Sequence, residues 1–445
     1  MGDTTGARRV AQLPRNDDTC GWANLLPPRP KPVRRVAGAM RFDWAIVGAG
    51  YAGLAAARRI AELAPGQSIA VIDAGRAGEG AAGRNSGFAV EISPSPKARV
   101  DSPEATYRRS IRINAHGLDL LKRAVDAHGI DCDWRPAGKH QCAAEPHHFA
   151  RLDAFASHLD ALGLPYRRLE AEELRARLGT SHYRRGLLTA GTVLVQPAAL
   201  ARGLAMTLPD AVTLLEESPV ESWSAGPPIR LTCPGGEVTA RRLILATNAW
   251  LPQFGAFRNG LVSFTLTAAL TRPLTEAEHR ALGAPEPWGV ISIHRFGATV
   301  RYTADRRILI RNSFDYWPRM AMTPAETAAR MPGIEASFRA RFPMLRDVGF
   351  EHLWSGVIAA SRNFSAGFGT IAPDVFAAGG CNAGGIARNT ALGALIADHA
   401  LDAGSDLLTA ARGMPPPAWV PPRPFLDIGA AVDLRRRRRG LGAEF

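Results

Sequence analysis

Ala45-Ile46-Val47-Gly48-Ala49-Gly50-Tyr51-Ala52-Gly53 is the stretch that decides the fold. Three apolar residues make a short strand, the glycines follow G-x-G-x-x-G spacing, and residues 54–63 carry helical periodicity. A second apolar strand, Ile69-Ala70-Val71-Ile72, ends at Asp73, twenty residues after Gly53. Each position has a physical reason: Gly48 turns the chain tightly, Gly50 lets backbone approach a pyrophosphate, and Gly53 allows the helix to pack on the strand. The helix start at Tyr51 and Ala52 offers N–H donors and a partial positive charge to that pyrophosphate. Asp73, followed by Ala74, would accept hydrogen bonds from ribose hydroxyls, which argues against a 2′-phosphate there. The unit reads as a Rossmann-like, dinucleotide-binding α/β element.

Outward from this unit, Gly80-Ala81-Ala82-Gly83-Arg84-Asn85-Ser86-Gly87 is a second glycine-rich segment able to approach a ligand closely, with Arg84 placed to meet phosphate or ring oxygens. Ser102-Pro103-Glu104 reads as a helix start, as does Thr323-Pro324-Ala325-Glu326 with capping-box spacing. Between them lie strand-like runs at 186–189, 212–215, 229–232, 243–246, 261–270, 299–302 and 308–310. The chain then returns to α/β grammar, with a strand at 375–378, a glycine-rich turn at 379–385 and a helix at 386–401. The fold class is therefore α/β, α+β overall, with a β-rich second domain.

At 445 residues, 46% apolar and 21% charged, the chain can bury a sizeable core, which excludes wholesale disorder and a disulfide miniprotein. Its net charge of +13 is uneven: residues 1–40 contribute +4 and residues 433–445 contribute +3. The basic residues are 50 Arg and 4 Lys, a compositional bias rather than a phosphate-binding stripe, so nucleic acid is not an expected partner. Five cysteines without a C-x-x-C pair, and no apolar leader after Arg8-Arg9, predict reduced thiols in a cytoplasm. No run of apolar residues is long enough to span a membrane. The adjacent His147 and His148 lack metal-ligand spacing, so no metal is expected.

From about residue 42 to 407 the chain resembles the FAD-dependent glycine/D-amino-acid oxidase superfamily, and the 80–87 loop is similar to that of its γ-glutamylputrescine oxidase branch. Further matches are Pro197-Ala198-Ala199-Leu200 with Val220, similar to the segment beside the FAD adenine; the strand and turn Leu243-Ile244-Leu245-Ala246-Thr247-Asn248-Ala249-Trp250; and Gly379-Gly380-Cys381-Asn382-Ala383-Gly384-Gly385-Ile386, which resembles the loop whose helix faces the isoalloxazine. The resemblance implies bound FAD and oxidation of a C–N bond in an amine or amino acid, with hydride passing to flavin N5 and the imine hydrolysing. It also implies a division into a discontinuous FAD-binding domain (41–100, 185–255 and 350–410) and a substrate domain (101–184 and 256–349). Residues 1–40 are expected to be a disordered extension and 411–445 a Pro/Arg-rich tail, with Arg435 to Arg439 solvated.

Departures from the family pattern narrow the chemistry. Where glycine-oxidase relatives hold the substrate carboxylate with an Arg, the run Trp354-Ser355-Gly356-Val357 leads to Ile358, which favours amines or substrates whose acidic group is bound elsewhere. No Lys follows Lys139, so electrons would pass to oxygen with help from another cation, or to a different acceptor. A dehydrogenase, or a tailoring enzyme acting on an unusual nitrogenous metabolite such as an aminophosphonate, is the alternative. No Cys lies between 234 and 380, so FAD is expected to be non-covalent. His294, Arg295, Arg301 and Tyr302 are the candidate catalytic residues on the substrate-domain ceiling, and Trp250, Trp317 and Trp354 could cage an ammonium group.

Overall fold

The computed structural model describes residues 7–15, 17–92 and 103–445; Ser102, the expected helix cap, lies outside the described residues. Five parallel strands form the first sheet's centre, in the order Val375–Gly379, Gly236–Leu245, Gly38–Val47, Ile69–Ile72 and Val212–Leu215. Alternation along Gly38–Val47 sends Trp44 and Ile46 into one apolar cluster and Ala45 and Val47 into another. Both faces are thus buried, as a parallel sheet requires. Helices Tyr51–Leu63, Pro103–His128 and Gly385–Ala400 cover the first face, while Trp223, Leu251 and Phe254 pack the second.

Very close backbone contact fixes these helices. A Cβ at Gly393 would lie 2.0 Å from the Ala52 carbonyl oxygen, and one at Gly117 would lie 1.9 Å from that of Ala387. Helix Gly385–Ala400 is therefore gripped from both sides by glycine contacts that no larger residue could make.

The second sheet runs Asp315–Tyr316, Val262–Thr271, Ile308–Arg311, Thr299–Tyr302, Trp288–Ser292, Lys139–Ala143, Arg185–Thr189 and Tyr166–Glu170. Phe350–Ala360 pairs along the other edge of Val262–Thr271. The capping box at Thr323 and Glu326 forms, with each side chain bonded to the other's backbone N–H. Two sequence-based boundaries shift. Strands Arg185–Thr189 and Phe350–Ala360 hydrogen-bond within this second sheet and not within the first, where 185 and 350 were expected to begin. Helix Pro103–His128, expected in the substrate domain, buries Ile113, Leu121 and Val125 in the nucleotide-side core.

Both ends of the described chain also depart from expectation. Arg8–Arg9 pairs with Ser222–Ser224, and further on Cys20 and Trp22 pack with Ala198, Leu270 and Trp354. Trp22 is buried: its Nε1 donates to the Asn85 carbonyl (2.9 Å), its own carbonyl accepts from Gln196 Nε2 (2.6 Å), and its ring meets Trp354 edge-on at 6.3 Å. Order here comes from tertiary partners, which a proline-rich stretch without periodicity does not advertise. At the other end, helix Phe425–Arg438 leads to Glu444, whose fully buried carboxylate accepts from the Ala144 N–H and the Ser292 hydroxyl, both at 2.6 Å. Within the arginine run, Arg437 pairs with Asp433 and Arg438 with Asp315. Among the described residues, no helix is long and apolar enough to cross a membrane.

Candidate active site

The register of the first sheet sets Val47, Ile72, Leu215 and Leu245 abreast, so the loops leaving their carboxyl ends converge on one edge, where open α/β sheets bind ligands. Gly48 takes φ +109°, and a Cβ there would meet the Ala246 carbonyl oxygen at 2.8 Å. Gly53 is tighter still, its would-be Cβ 1.8 Å from the Gly48 carbonyl oxygen. Gly50 precedes helix Tyr51–Leu63 without any side-chain cap, and the nearest atom to a Cβ built on it is 3.9 Å away. Gly384 stands in the same relation to helix Gly385–Ala400: no side-chain cap, and nothing within 4 Å of a Cβ. Two helices therefore present uncapped N–H groups on glycine backbone, the donor set that suits a phosphate or an electron-rich ring edge.

Asp73 sits where the ribose contact was expected, with Oδ2 accepting from the Ala49 N–H (2.6 Å) and Oδ1 from the Gly75 N–H (2.9 Å). Burial pushes its carboxyl upward, and these two donors offset that only in part. Ala74 separates Asp73 from Gly75, and two backbone bonds join this turn to the 216–218 segment: Ser218 N–H to the Asp73 carbonyl and Glu217 N–H to the Gly75 carbonyl. Val220, buried, follows two residues on. Thr247 begins the turn after Gly236–Leu245, and its buried hydroxyl has no hydrogen-bond partner among the described residues. A ligand hydroxyl or phosphate oxygen would satisfy it.

Asn248, at φ +46°, accepts through Oδ1 from the Gly380 N–H (3.1 Å) and the Cys381 N–H (3.0 Å). Asn382 locks the other side of this loop, accepting from the Ser361 N–H and donating to the carbonyls of Phe364 and Gly380. Gly385 and the buried Ile386 begin the helix. Cys381 fills the space between, its thiol facing the Ala359 carbonyl at 3.6 Å.

Around the second glycine loop, Gly83 packs against the Gly78 carbonyl, Asn85 bonds within the loop to the Ala82 carbonyl and Gly87 N–H, and Ser86 lies between them. Arg84 has a different role from the phosphate contact expected of it. Its guanidinium donates to the Glu79 and Ser355 carbonyls and pairs with Asp17 of the N-terminal segment. Tyr51 likewise turns its hydroxyl to the Pro197 carbonyl.

The four ceiling candidates do not converge. Neighbouring residues on a strand face opposite ways, so Arg301 and Tyr302 cannot share a surface. Arg301 faces the nucleotide side, donating to the Val195 carbonyl and pairing with Asp133 at 3.3 Å, its guanidinium 5.4 Å from the Trp22 ring. Tyr302 faces away, packed near Trp288 with its hydroxyl 2.7 Å from His279 Nδ1. His294 turns toward His148, and burial, reinforced by the charge of His148 and Arg151, lowers its pKa to about 4. Arg295 is exposed, its guanidinium 3.9 Å over the Phe364 ring. The three tryptophans separate as well: Trp354 joins Trp22, Trp250 packs on the nucleotide sheet, and Trp317 donates to the Ala321 carbonyl.

Sequence reasoning missed Asp17, Trp22 and Arg388. The first two lacked any periodic signal. Arg388 was visible as a cation in the opening turn of a helix, where the macrodipole disfavours it.

The geometry is that of a dinucleotide-binding parallel α/β sheet beside a second, β-rich sheet, and the comparisons supply its class. Residues 43–399 match the DAO family model, described as FAD dependent oxidoreductase, and the chain belongs to that family. Gamma-glutamylputrescine oxidoreductase of Escherichia coli (strain K12) is 27% identical over 420 residues, 90% of this chain and 93% of that protein. Among solved structures, glycine oxidase from Geobacillus kaustophilus superposes with a TM-score of 0.67 at 18% identity, covering 82% of this chain and 96% of its own. The FAD-bound L-alpha-glycerophosphate oxidase from Mycoplasma pneumoniae gives 0.65 at 16% identity, covering 85% and 97%. FAD is thus the cofactor that the uncapped helix ends, Asp73 and Thr247 are suited to hold.

Proposed function

We propose that the protein oxidises a C–N bond of an amine or amino acid and passes the electrons to oxygen or another acceptor. The observation that carries this is the pair of uncapped, glycine-opened helices at the carboxyl edge of the parallel sheet, the arrangement that suits a dinucleotide and its reactive ring. FAD, when bound, supplies the two-electron chemistry. The chain's own part is to position and to exclude water. Gly48 to Gly53 and Asp73 would hold the nucleotide end, Thr247 and Asn248 would border the middle, and the Gly380 to Ile386 loop would offer its N–H groups to the reactive ring. Deprotonated amines already donate hydride, so orientation supplies most of the rate.

Non-covalent attachment is supported by Cys381, the cysteine nearest this loop, being buried against the Ala359 carbonyl. Five buried free cysteines fit a reducing compartment such as the cytoplasm. The test is anaerobic bleaching of the oxidised flavin band with primary amines, γ-glutamylated amines, N-methyl amino acids, D-amino acids and aminophosphonates, followed by admission of air. Bleaching by a nitrogenous substrate is expected. Rapid recolouring assigns an oxidase and slow recolouring a dehydrogenase, whereas reduction only by hydroxy acids or polyols would overturn the C–N assignment.

A further inference from the structure

We propose that Arg388, which lines one cavity together with Phe364, and Arg295, which stacks on the Phe364 ring, form an oxyanion-binding subsite for an acidic group, carboxylate or phosphonate, carried by the amine substrate. The proposal deepens the functional reading above and supplies the anion contact that Ile358 cannot make.

Arg388 is the fourth residue of helix Gly385–Ala400, a position where a cation opposes the macrodipole. It is half-buried, and burial lowers its pKa. Among the described residues its one hydrogen bond is from Nε to Asn114 Oδ1 at 3.3 Å, and no carboxylate pairs with it. A guanidinium carries five donors, and a partly desolvated one without an acid is costly unless an anion completes it. Arg388 opens onto a cavity of about 50 Å³ lined also by Thr106, Arg109, Phe364, Ser365 and Met414.

Arg295 reaches the same phenylalanine from the roof. It sits in the turn between Trp288–Ser292 and Thr299–Tyr302, stacks on Phe364, and has no hydrogen bond to protein among the described residues. Its pKa falls to about 10 through burial, then through Arg437 and Arg151, which are cations and not carboxylates. It nonetheless stays exposed to solvent. Phe364 is a rigid divider: it adopts φ +59°, held there by its own N–H to the Ser361 carbonyl and by Asn382 Nδ2 on its carbonyl. Asn382 belongs to the loop before the closing helix, so the subsite is tied to the end of the site where the reactive ring is expected.

The experiment titrates flavin-loaded enzyme with acetate, methylphosphonate and neutral acetamide, read by calorimetry and by perturbation of the flavin spectrum. Binding of the two anions but not of acetamide is expected, weakened roughly tenfold or more in Arg388→Gln and in Arg295→Gln and partly restored in Arg388→Lys. Arg412→Gln, on the surface, serves as the unchanged control. Preference for methylphosphonate over acetate assigns a phosphonate substrate, and the reverse a carboxylate. Equal anion binding in the wild type and both glutamine variants, or acetamide binding as tightly as acetate, overturns the subsite; flavin content and melting temperature verify that the variants fold. Because no turnover is needed, arginine-dependent anion binding without reduction by any amine would defeat the C–N reading alone. Amine reduction indifferent to acidic groups and to both arginines would defeat the subsite alone.

Discussion

Gly53 shows how far one atom decides this site. Its absent Cβ would overlap the Gly48 carbonyl oxygen and crowd Ile46 Cγ2 at 3.3 Å. Gly53→Ala must push helix from strand and is expected to cost about 3 kcal/mol or more, with loss of bound flavin, measured by denaturant titration and flavin absorbance. Arg84→Ala is expected to loosen flavin for an indirect reason, since Arg84 ties its loop to Ser355 and Asp17; both flavin release rate and melting temperature should change, and a change in neither would remove that role. The glycine loop and Asp73 were legible because backbone rules admit few residues there. Tyr302 was misread because a strand's existence is written in its composition, while the face each residue takes depends on which neighbours bury it.

At the scale of elements, the N-terminal segment carries more of the site than its composition suggests. Trp22 touches Asn85, Gln196, Arg301 and Trp354, which come from four separate parts of the chain. Trp22→Ala should destabilise by about 3 to 5 kcal/mol and open the 8–35 region to protease, followed by denaturation and limited proteolysis. No local pattern could reveal this, because every partner is distant in sequence. The parallel strands were legible from short apolar runs bounded by glycine. Strands such as Lys139–Ala143 and Tyr166–Glu170 were not, since Lys139, Arg167 and Arg168 disguise them.

For the whole molecule, burial of bases sets the response to pH. Desolvation lowers His140, His182 and His294 to about 4 and Lys139 to about 7. In each case the unfolded chain binds a proton that the folded one refuses, so stability rises with pH. It should fall as pH drops from about 6.5 toward 4, by up to about 3 kcal/mol for His140 alone, and continue rising above about 7 through Lys139 until the buried thiols of Cys132 and Cys233, raised to about 12, oppose the rise above about 9. Denaturant titrations across pH, repeated with His140→Gln and Lys139→Met, check both limbs; a curve unchanged by either substitution would refute the assignment.

The packing of Trp22 against Trp354 also bears on how the chain is made. Trp354 leaves the ribosome about 330 residues after Trp22, an interval of roughly 20 to 60 s at ordinary elongation speeds. Throughout that interval Trp22 lacks the wall that Trp354 supplies. The prolines and arginines around it, at Pro14, Pro27, Pro28, Pro30, Arg29 and Arg35, suit a nascent segment that must stay soluble and unpaired until its last wall is translated.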